Sequence, residues 1–336
     1  MGDSLHTVAR QMVAEGRGIL AADESIPTVT TRLEKAGVPP DGEHRRAYRE
    51  MLVTTPGLAE AISGVILFDE TLRARLSDGR TFPEAVSAAG MLPGIKVDTG
   101  AKPLAGAPGE TVTEGLDGLR ERFSEYAALG ARFAKWRAVI KIGAGLPTDN
   151  ALHANAHALA RYAALAQEAG LVPIVEPEVL MDGDHDLDRC AAVTATTLRQ
   201  VFDELAIAAV DLGGMVLKPN MVTAGTKASR QASVAEVARR TVEVLRSAVP
   251  AEVPGIAFLS GGQPPEVATA HLAAMQRLGP APWEVTFSFG RALVDPALAA
   301  WHGDPDLVEA GQAALHERSA ANGAARLVTA GPPGPS

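Results

Sequence analysis

Lys218 stands at the end of a short apolar stretch, Gly214-Met215-Val216-Leu217-Lys218-Pro219-Asn220. The residues before the lysine are typical of a buried strand, and Pro219 ends it because proline has no N–H for the ladder. Burial removes water from a lysine and so lowers the pKa of its amine. A neutral amine attacks a carbonyl carbon and forms a Schiff base. A single lysine at a strand end is more often a solvated rim residue. Whether Lys218 is a reactive amine therefore depends on the residues at the other strand ends.

Seven other strand-like stretches also end in charged or hydroxyl side chains. These ends are Asp23, Asp69, Lys96 with Asp98, Lys135 with Arg137, Glu176 with Glu178, Ser260 with Gly261 and Gly262, and Ser288 with Gly290 and Arg291. A cation beside an amine lowers the pKa of that amine, and a carboxylate beside it carries protons. The Ser-Gly-Gly and Ser-Phe-Gly-Arg turns offer N–H groups, hydroxyls and a guanidinium, which suit a phosphate. Each end alone fits a surface ion pair, but the whole set favours amine catalysis beside a phosphate.

The elements that carry these residues alternate along the chain. Eight short apolar stretches are separated by helical segments, which is typical of parallel strands closing into a (β/α)8 TIM barrel of the α/β class. All strand carboxyl ends then face one side, where their side chains converge. An open doubly wound sheet is the alternative, but no G-x-G-x-x-G sequence follows the first strand. We expect one domain over residues 1–329 and a disordered Pro/Gly-rich tail at residues 330–336.

The segment between the third and fourth strands is predicted to be a helix from residue 113 to residue 129. Leu116, Leu119, Phe123 and Tyr126 recur at helical spacing on one side. Gly130 follows as a typical helix end.

The composition excludes several classes of protein. The net charge is -9 and no long basic run exists, so we expect no nucleic-acid partner. No stretch approaches the roughly 18 apolar residues of a membrane span, and the N-terminus lacks a signal-peptide pattern. Cys190 is the single cysteine and cannot form an internal disulfide, which fits a reducing compartment. We therefore predict a cytoplasmic protein with no membrane partner.

The stretch Asp182-Gly183-Asp184-His185-Asp186 is similar to a metal-binding loop. It lacks the spacing of about 12 residues and the closing glutamate of a calcium loop. A catalytic zinc site needs several histidines together, whereas the eight in this chain are scattered. We predict no metal and no cofactor.

Ten stretches match one enzyme family in the family's own order. They are GILAADES (18–25), GVILFDETL (64–72), GIKVD (94–98), PLAG (103–106), FAKWRAVIKIG (133–143), IVEPE (174–178), DGDHDL (182–187), LKPNMVTAG (217–225), FLSGGQ (258–263) and FSFGRAL (287–293). In these stretches the chain resembles the class I fructose-bisphosphate aldolases. The resemblance implies a metal-independent lyase that splits fructose 1,6-bisphosphate reversibly into dihydroxyacetone phosphate and glyceraldehyde 3-phosphate, in glycolysis and gluconeogenesis. It also implies a homo-oligomer, which in the family is a tetramer.

The same resemblance implies roles for individual residues. Lys218 forms the Schiff base, Glu176 shuttles protons, and Asp23 helps to deprotonate the C4 hydroxyl. Lys135 is a nearby cation that assists the Schiff-base chemistry, with Glu178 as its partner. The residues implied toward the C6 phosphate are Ser25, Arg32, Lys96 and Arg137, and those at the C1 phosphate are Ser260, Gly261, Gly290 and Arg291. Gly262 and Ser288 belong to the same substrate-binding set.

Two features depart from the family's sequence. The turn after Asp23 contains Pro27, where the family often has a glycine, and proline fixes φ. The family's C-terminal tyrosine is absent from the tail, so we expect Glu176 or a water to protonate the enamine.

Two other functions remain open from the sequence. An enzyme that prefers a longer sugar bisphosphate, such as sedoheptulose 1,7-bisphosphate, would have the same site residues except for those at the far phosphate. A binding or scaffold protein on the same fold has no need to keep Lys218, Glu176, Asp23 and Lys135 together, and a cleavage assay separates it from the enzymes.

Overall fold

Eight short apolar stretches form a closed parallel barrel in the computed structural model, which describes residues 4–328. The strands of the chain are β1 (Gly18–Ala22), β2 (Ile62–Leu67), β3 (Leu92–Lys96), β4 (Gly100–Pro103), β5 (Thr111–Glu114), β6 (Phe133–Ile140), β7 (Val172–Val179), β8 (Val216–Leu217), β9 (Gly255–Phe258) and β10 (Glu284–Phe289). The order around the barrel is β1, β10, β9, β8, β7, β6, β3, β2, and β2 pairs again with β1. β4 and β5 form a separate antiparallel hairpin.

Helices connect the barrel strands. They are α1 (Leu5–Met12), α2 (Ile26–Lys35), α3 (Gly42–Val53), α4 (Asp69–Arg73), α5 (Phe82–Ala88), α6 (Leu119–Ala128), α7 (Asp149–Glu168), α8 (Leu187–Ile207), α9 (Val234–Ala248), α10 (Pro265–Gln276), α11 (Arg291–Trp301) and α12 (Val308–Arg326). Every barrel strand is followed by a helix, so the predicted (β/α)8 barrel is confirmed. The open-sheet alternative is wrong, because β1 pairs with β10 through Ile19 and Ser288. Within residues 4–328 no helix is both long and apolar enough to cross a bilayer.

Side-chain caps fix where several helices begin. Thr81 with Glu84, and Ser233 with Glu236, form capping boxes at the starts of α5 and α9. In each box the hydroxyl accepts from a backbone N–H and the glutamate accepts from the capping residue's own N–H, so two otherwise unpaired donors are satisfied.

The helix predicted over residues 113–129 is shorter than expected, because its first residues belong to a strand. Thr111–Glu114 forms β5, which pairs with β4, and the helix α6 begins only at Leu119. Gly115 and Gly118 have φ of +127° and +64° and separate the two elements. Residues with branched β-carbons, such as Thr111 and Thr113, favour the strand. The expected tail at residues 330–336 lies outside the described residues.

The barrel interior and the outer shell are separate apolar clusters. The interior cluster consists of Ile19, Ala21, Ile66, Phe133, Val172, Ile174, Val216 and Ala257, together with Val8, Ala9, Met12 and Val13 around α1. A second and larger cluster packs the helices against the outside of the strands. α1 covers the amino ends of the strands, since Ser63 at the start of β2 donates to the Met12 carbonyl. Polar side chains therefore collect at the opposite end.

Candidate active site

The carboxyl ends of the strands surround a cavity of about 1420 Å³. The predicted site residues that line it are Asp23, Ser25, Arg32, Lys96, Lys135, Arg137, Glu176, Glu178, Lys218, Ser260, Gly261, Ser288, Gly290 and Arg291. Gly262 is not part of this lining, but it lies beside Arg291, which is. A β-carbon at Gly262 would come within 3.1 Å of Nη2 of Arg291, so the absence of a side chain there leaves room for the guanidinium.

Four charged side chains form a continuous chain of ion pairs in the wall of this cavity. Nζ of Lys218 lies 3.3 Å from Oε1 of Glu176, and Nζ of Lys135 lies 3.3 Å from Oε2 of the same carboxylate. Nζ of Lys135 also lies 2.7 Å from Oδ2 of Asp23. Lys218, Lys135 and Glu176 are each 3% exposed, so these charges interact with little screening by water.

The ion pairs set the charge states of Asp23 and Lys135. Burial raises the pKa of Asp23, but the cations of Lys135 and Lys218 outweigh burial and hold that pKa well below its usual range. Burial lowers the pKa of Lys135, but Asp23 and Glu176 outweigh it and raise that pKa above its usual value. At neutral pH Asp23 is ionised and Lys135 is protonated. Lys135 is thus a fixed cation in the wall of the cavity.

Glu178 is not the partner of Lys135, and that part of the sequence prediction is wrong. Glu178 Oε2 accepts from Nε of Arg137, whereas Lys135 lies beside Glu176. In the β6–β7 register Arg137 is opposite Glu176, so each cation reaches the carboxylate two residues further along β7. Both pairs are the same diagonal contact between neighbouring strands. Burial lowers the pKa of Arg137, but Glu178 and the other carboxylates outweigh it and raise that pKa.

The ends of β9 and β10 form a wall suited to an anion. Gly261 and Gly262 have φ of +61° and +88°, a left-handed conformation that glycine adopts without strain. Ser288 is 1% exposed, and among the described residues its hydroxyl has no hydrogen-bond partner. Arg291 is the first residue of α11, and it lines the same cavity. Backbone turns, a free hydroxyl and a guanidinium are groups that bind phosphate.

A second polar wall comes from the start of α2. Ser25 is the residue before this helix, and its Oγ lies 3.0 Å from Oγ1 of Thr28. Pro27 occupies the first turn, where its fixed φ is compatible with the helix and its missing N–H has no helical partner to lose. Arg32 projects into the cavity from the next turn, and its Nη1 donates to Oε1 of Glu24 at 2.5 Å. The proline therefore lies within the first turn of α2 and does not disturb the helix.

Asp98 organises several site groups although no role was predicted for it. Its carboxylate accepts from Nζ of Lys96 at 2.6 Å, from the N–H of Gly100 at 3.1 Å and from the N–H of Arg137 at 3.2 Å. It is 6% exposed. Asp98 thereby links the Lys96 ammonium group and the backbone of Arg137 to the base of the β4–β5 hairpin. The only sequence signal was its position two residues after Lys96 at a strand end.

The acidic loop at residues 182–186 connects structural elements. Asp186 caps α8 by accepting from the N–H of Arg189, and the carbonyl of His185 accepts from the N–H of Gly225 at 2.8 Å. Among residues 4–328 no group of three or more His, Cys, Asp or Glu side chains is arranged to hold a metal ion.

Known proteins resemble this chain over nearly its full length. The family described as "Fructose-bisphosphate aldolase class-I" matches residues 4–331. A "Probable fructose-bisphosphate aldolase class 1" of Xanthomonas axonopodis pv. citri is 54% identical over 97% of this chain and 98% of its own length. "Fructose-bisphosphate aldolase 6, cytosolic" of Arabidopsis thaliana is 50% identical over 97% of this chain and 91% of its own. A solved fructose-bisphosphate aldolase from Plasmodium falciparum, in complex with TRAP and a small-molecule inhibitor, superposes with a TM-score of 0.95 at 44% identity, covering 98% of this chain and 95% of that one.

Proposed function

The chain belongs to the class I fructose-bisphosphate aldolase family, and from that premise we propose that it splits fructose 1,6-bisphosphate through a Schiff base on Lys218. The products are dihydroxyacetone phosphate and glyceraldehyde 3-phosphate, and the reaction is reversible. The bond that breaks joins two carbons, so the protein is a carbon–carbon lyase. It works without a metal ion or a cofactor, in glycolysis and gluconeogenesis.

One observation carries the proposal. The side chains of Lys218, Glu176, Lys135 and Asp23 form one buried chain of ion pairs along the cavity wall. Such a chain supplies a nucleophile, a proton carrier, a fixed cation and a base side by side. A protein that only binds sugars gains little from burying four charges, because desolvating each of them costs on the order of several kcal/mol.

Schiff-base formation uses Lys218 and Glu176. Nζ of Lys218 attacks the C2 carbonyl, and the resulting carbinolamine loses its hydroxyl as water to leave a protonated Schiff base. Glu176 lies 3.3 Å from that nitrogen, within reach to accept its proton and pass one to the departing hydroxyl. Nζ of Lys135 lies 3.3 Å from the other oxygen of the same carboxylate.

Carbon–carbon cleavage uses Asp23. The carboxylate takes the proton of the C4 hydroxyl, the C4 oxygen forms the new aldehyde, and the electron pair of the C3–C4 bond moves into the Schiff base. The product on Lys218 is an enamine, which takes a proton at C3 from Glu176 or from a water. Hydrolysis then releases dihydroxyacetone phosphate and restores the free amine.

The two polar walls hold the two phosphates in this proposal. The C1 phosphate binds at the β9 and β10 ends, through Ser260, Gly261, Gly262, Ser288, Gly290 and Arg291. The C6 phosphate lies toward Ser25, Arg32, Lys96 and Arg137. The free Ser288 hydroxyl and the left-handed Gly261–Gly262 turn support the first assignment.

We further propose a cytoplasmic homo-tetramer. The two Arabidopsis thaliana relatives described as cytosolic, each 50% identical to this chain, support the location. Sedimentation of the purified protein measures the assembly directly, and a monomer at micromolar concentration contradicts the tetramer.

Borohydride trapping tests the nucleophile. Reduction in the presence of dihydroxyacetone phosphate fixes the Schiff base, so activity is lost and the peptide carrying Lys218 gains the mass of the reduced substrate. Chelation with EDTA leaves activity intact, because no step uses a metal.

Two variants make the trapping experiment specific. Lys218→Arg removes the trapped adduct, whereas Lys141→Arg keeps it, since Lys141 is an exposed lysine just beyond β6. An adduct on Lys135 or Lys141, or an EDTA inhibition that added metal reverses, overturns the proposed mechanism.

A further inference from the structure

Arg32 is held by a buried arrangement of two arginines around one carboxylate. Oε1 of Glu24 accepts from Nη1 of Arg32 at 2.5 Å, and Oε2 of Glu24 lies 2.8 Å from Nη2 of Arg49. The side chains of Glu24 and Arg49 are 6% and 4% exposed. Arg49 also donates to the backbone carbonyl of Glu24 at 3.1 Å. The carboxylate between them is therefore fixed from two sides, and it fixes Arg32 in turn.

In this arrangement the positive charge of Arg32 is only partly neutralised. Two guanidinium groups share one carboxylate, so the three side chains together carry a net charge of +1. A simple Arg32–Glu24 pair would be neutral and would attract phosphate less. Arg32 thus presents an oriented cation to the cavity that it lines.

The carboxylate of Asp295 neutralises part of that positive charge. It lies on α11, lines the same cavity, and places Oδ1 3.8 Å from Nη1 of Arg32. Burial raises the pKa of the Asp295 carboxyl group above its ordinary value and Glu24 adds to this rise, whereas Arg32 and Arg291, which stands one helical turn earlier on α11, act to lower that pKa. The Asp295 side chain is 54% exposed, so water and salt screen its ion pair with Arg32 in part. The two cations that act on it, Arg32 and Arg291, are the arginines assigned above to substrate phosphate.

We propose that Asp295 is an internal competitor for phosphate, which weakens phosphate binding at Arg32 and so sets the substrate's KM. In the empty site its carboxylate neutralises the spare charge of the Arg32 arrangement. A phosphate arriving at Arg32 meets this carboxylate a few ångströms away, and like charges repel. The identity of the natural ligand rests on the proposed function, but the competition itself concerns any phosphate that Arg32 binds.

Calorimetry with inorganic phosphate tests the competition without requiring turnover. Asp295→Asn keeps the shape of the side chain and removes its charge, so phosphate should bind about two- to fivefold more tightly, the range expected for one partly exposed charge contact. With fructose 1,6-bisphosphate the same gain should appear as a lower KM rather than a higher kcat. The gain should shrink as salt is raised, because salt screens exposed charges.

Two matched variants separate this effect from others. Asp117→Asn removes a negative charge elsewhere in the lining of the cavity, and it should change phosphate affinity much less. Asp295→Glu keeps the negative charge and should retain weak phosphate binding. An unchanged or weaker affinity in Asp295→Asn, or an equal gain in Asp117→Asn, overturns the proposal. If phosphate affinity responds as expected but no bisphosphate is cleaved, the proposed function fails while the competition stands.

Discussion

Lys135 is the residue on which the buried charges depend. Its ammonium group contacts both Asp23 and Glu176, and it is 3% exposed. Pairing repays part of the cost of burying these charges, and removing one partner leaves that cost uncompensated. Lys135 therefore serves stability and chemistry together.

Replacing this lysine should harm both properties. Lys135→Met leaves the Asp23 and Glu176 carboxylates buried without their shared cation, which should lower the free energy of unfolding by about 3 kcal/mol. It should also lower kcat by about 100-fold, since proton transfer depends on the charge states that Lys135 maintains. Urea unfolding and steady-state kinetics at pH 7 measure the two losses. A matched control is Lys102→Met on the exposed strand β4, which should change neither.

The stability loss should depend on pH in a defined direction. Because the folded pKa of Asp23 is depressed, its ion pairing stabilises fully above the ordinary aspartate pKa of about 4 and is lost as pH falls through the folded value. The difference in the free energy of unfolding between wild type and Lys135→Met should therefore decrease below about pH 4. Lys135 has a raised pKa, so its own contribution is complete below about pH 10 and declines only above it. An equal difference in the free energy of unfolding at pH 3 and at pH 7 would refute this account.

Residue types at the site could be predicted from the sequence, but pairings between them could not. Lys218, Glu176 and Asp23 each stand at the end of an apolar stretch, where barrel topology brings them together. The partner of Glu178 depends on the register of β6 against β7, which no local pattern encodes. Arg49 gave no signal, because it becomes a buried ion-pair member only when the fold brings α3 to Glu24, in the segment after β1.

At the scale of elements, glycines make room for the aromatic ring that fills the amino end of the barrel. A β-carbon on Gly94 would come within 2.2 Å of the Phe133 ring, and one on Gly64 within 2.9 Å. Phe133 itself has no exposed surface. The sequence predicted both glycines as strand residues, but not that they lie against the ring of a β6 residue.

A methyl group on β3 should therefore strain the barrel. Gly94→Ala forces Phe133 or the strand to shift, at a cost of about 1–3 kcal/mol in the free energy of unfolding. Gly42→Ala is the control, because its β-carbon would meet only Arg45 Nη2 at 3.7 Å, an ordinary contact. Adding Phe133→Leu to Gly94→Ala should recover part of the loss. Denaturant unfolding measures all three, and a neutral Gly94→Ala contradicts the steric explanation.

The β4–β5 hairpin shows why the connection after β3 was predicted only in part. The spacing of Leu119, Phe123 and Tyr126 is helical, and the helix α6 forms over those residues. Thr113 precedes them and instead extends into β5, where its N–H donates to Oδ1 of Asn155 at 3.2 Å. Asn155 lies 42 residues later in the sequence, so this partner is a product of the tertiary fold.

At the scale of the whole molecule, the last turn of α12 closes the end of the barrel opposite the active site. Nε of Arg326 donates to the Val285 carbonyl at 3.0 Å, and Nη2 donates to the Val13 carbonyl at 3.2 Å. Nη1 donates to the carbonyls of Ala14 and Arg17. Burial lowers the pKa of Arg326 to about 10, so the guanidinium remains charged at neutral pH. One side chain thus joins α12, β10 and the segment between α1 and β1.

Arg326 should accordingly matter for the stability of the protein but not for its catalytic rate. Arg326→Met removes the guanidinium hydrogen bonds to four backbone carbonyls, each contributing about 1–3 kcal/mol, although those of Ala14, Arg17 and Val285 keep a second donor. The Tm should therefore fall by several degrees. The kcat measured below that Tm should change less than about twofold, because the active site lies at the other end of the strands.

Deleting residues 330–336 should affect neither property. These residues, Ala330-Gly331-Pro332-Pro333-Gly334-Pro335-Ser336, contain no acidic or basic side chain that could protonate an enamine on Lys218. We therefore expect the deleted chain to keep its Tm, its kcat within about twofold, and its hydrogen exchange at C3 of dihydroxyacetone phosphate. If exchange at C3 falls while the Tm is unchanged, the deleted residues take part in proton transfer, and Glu176 or a water is not the sole proton donor.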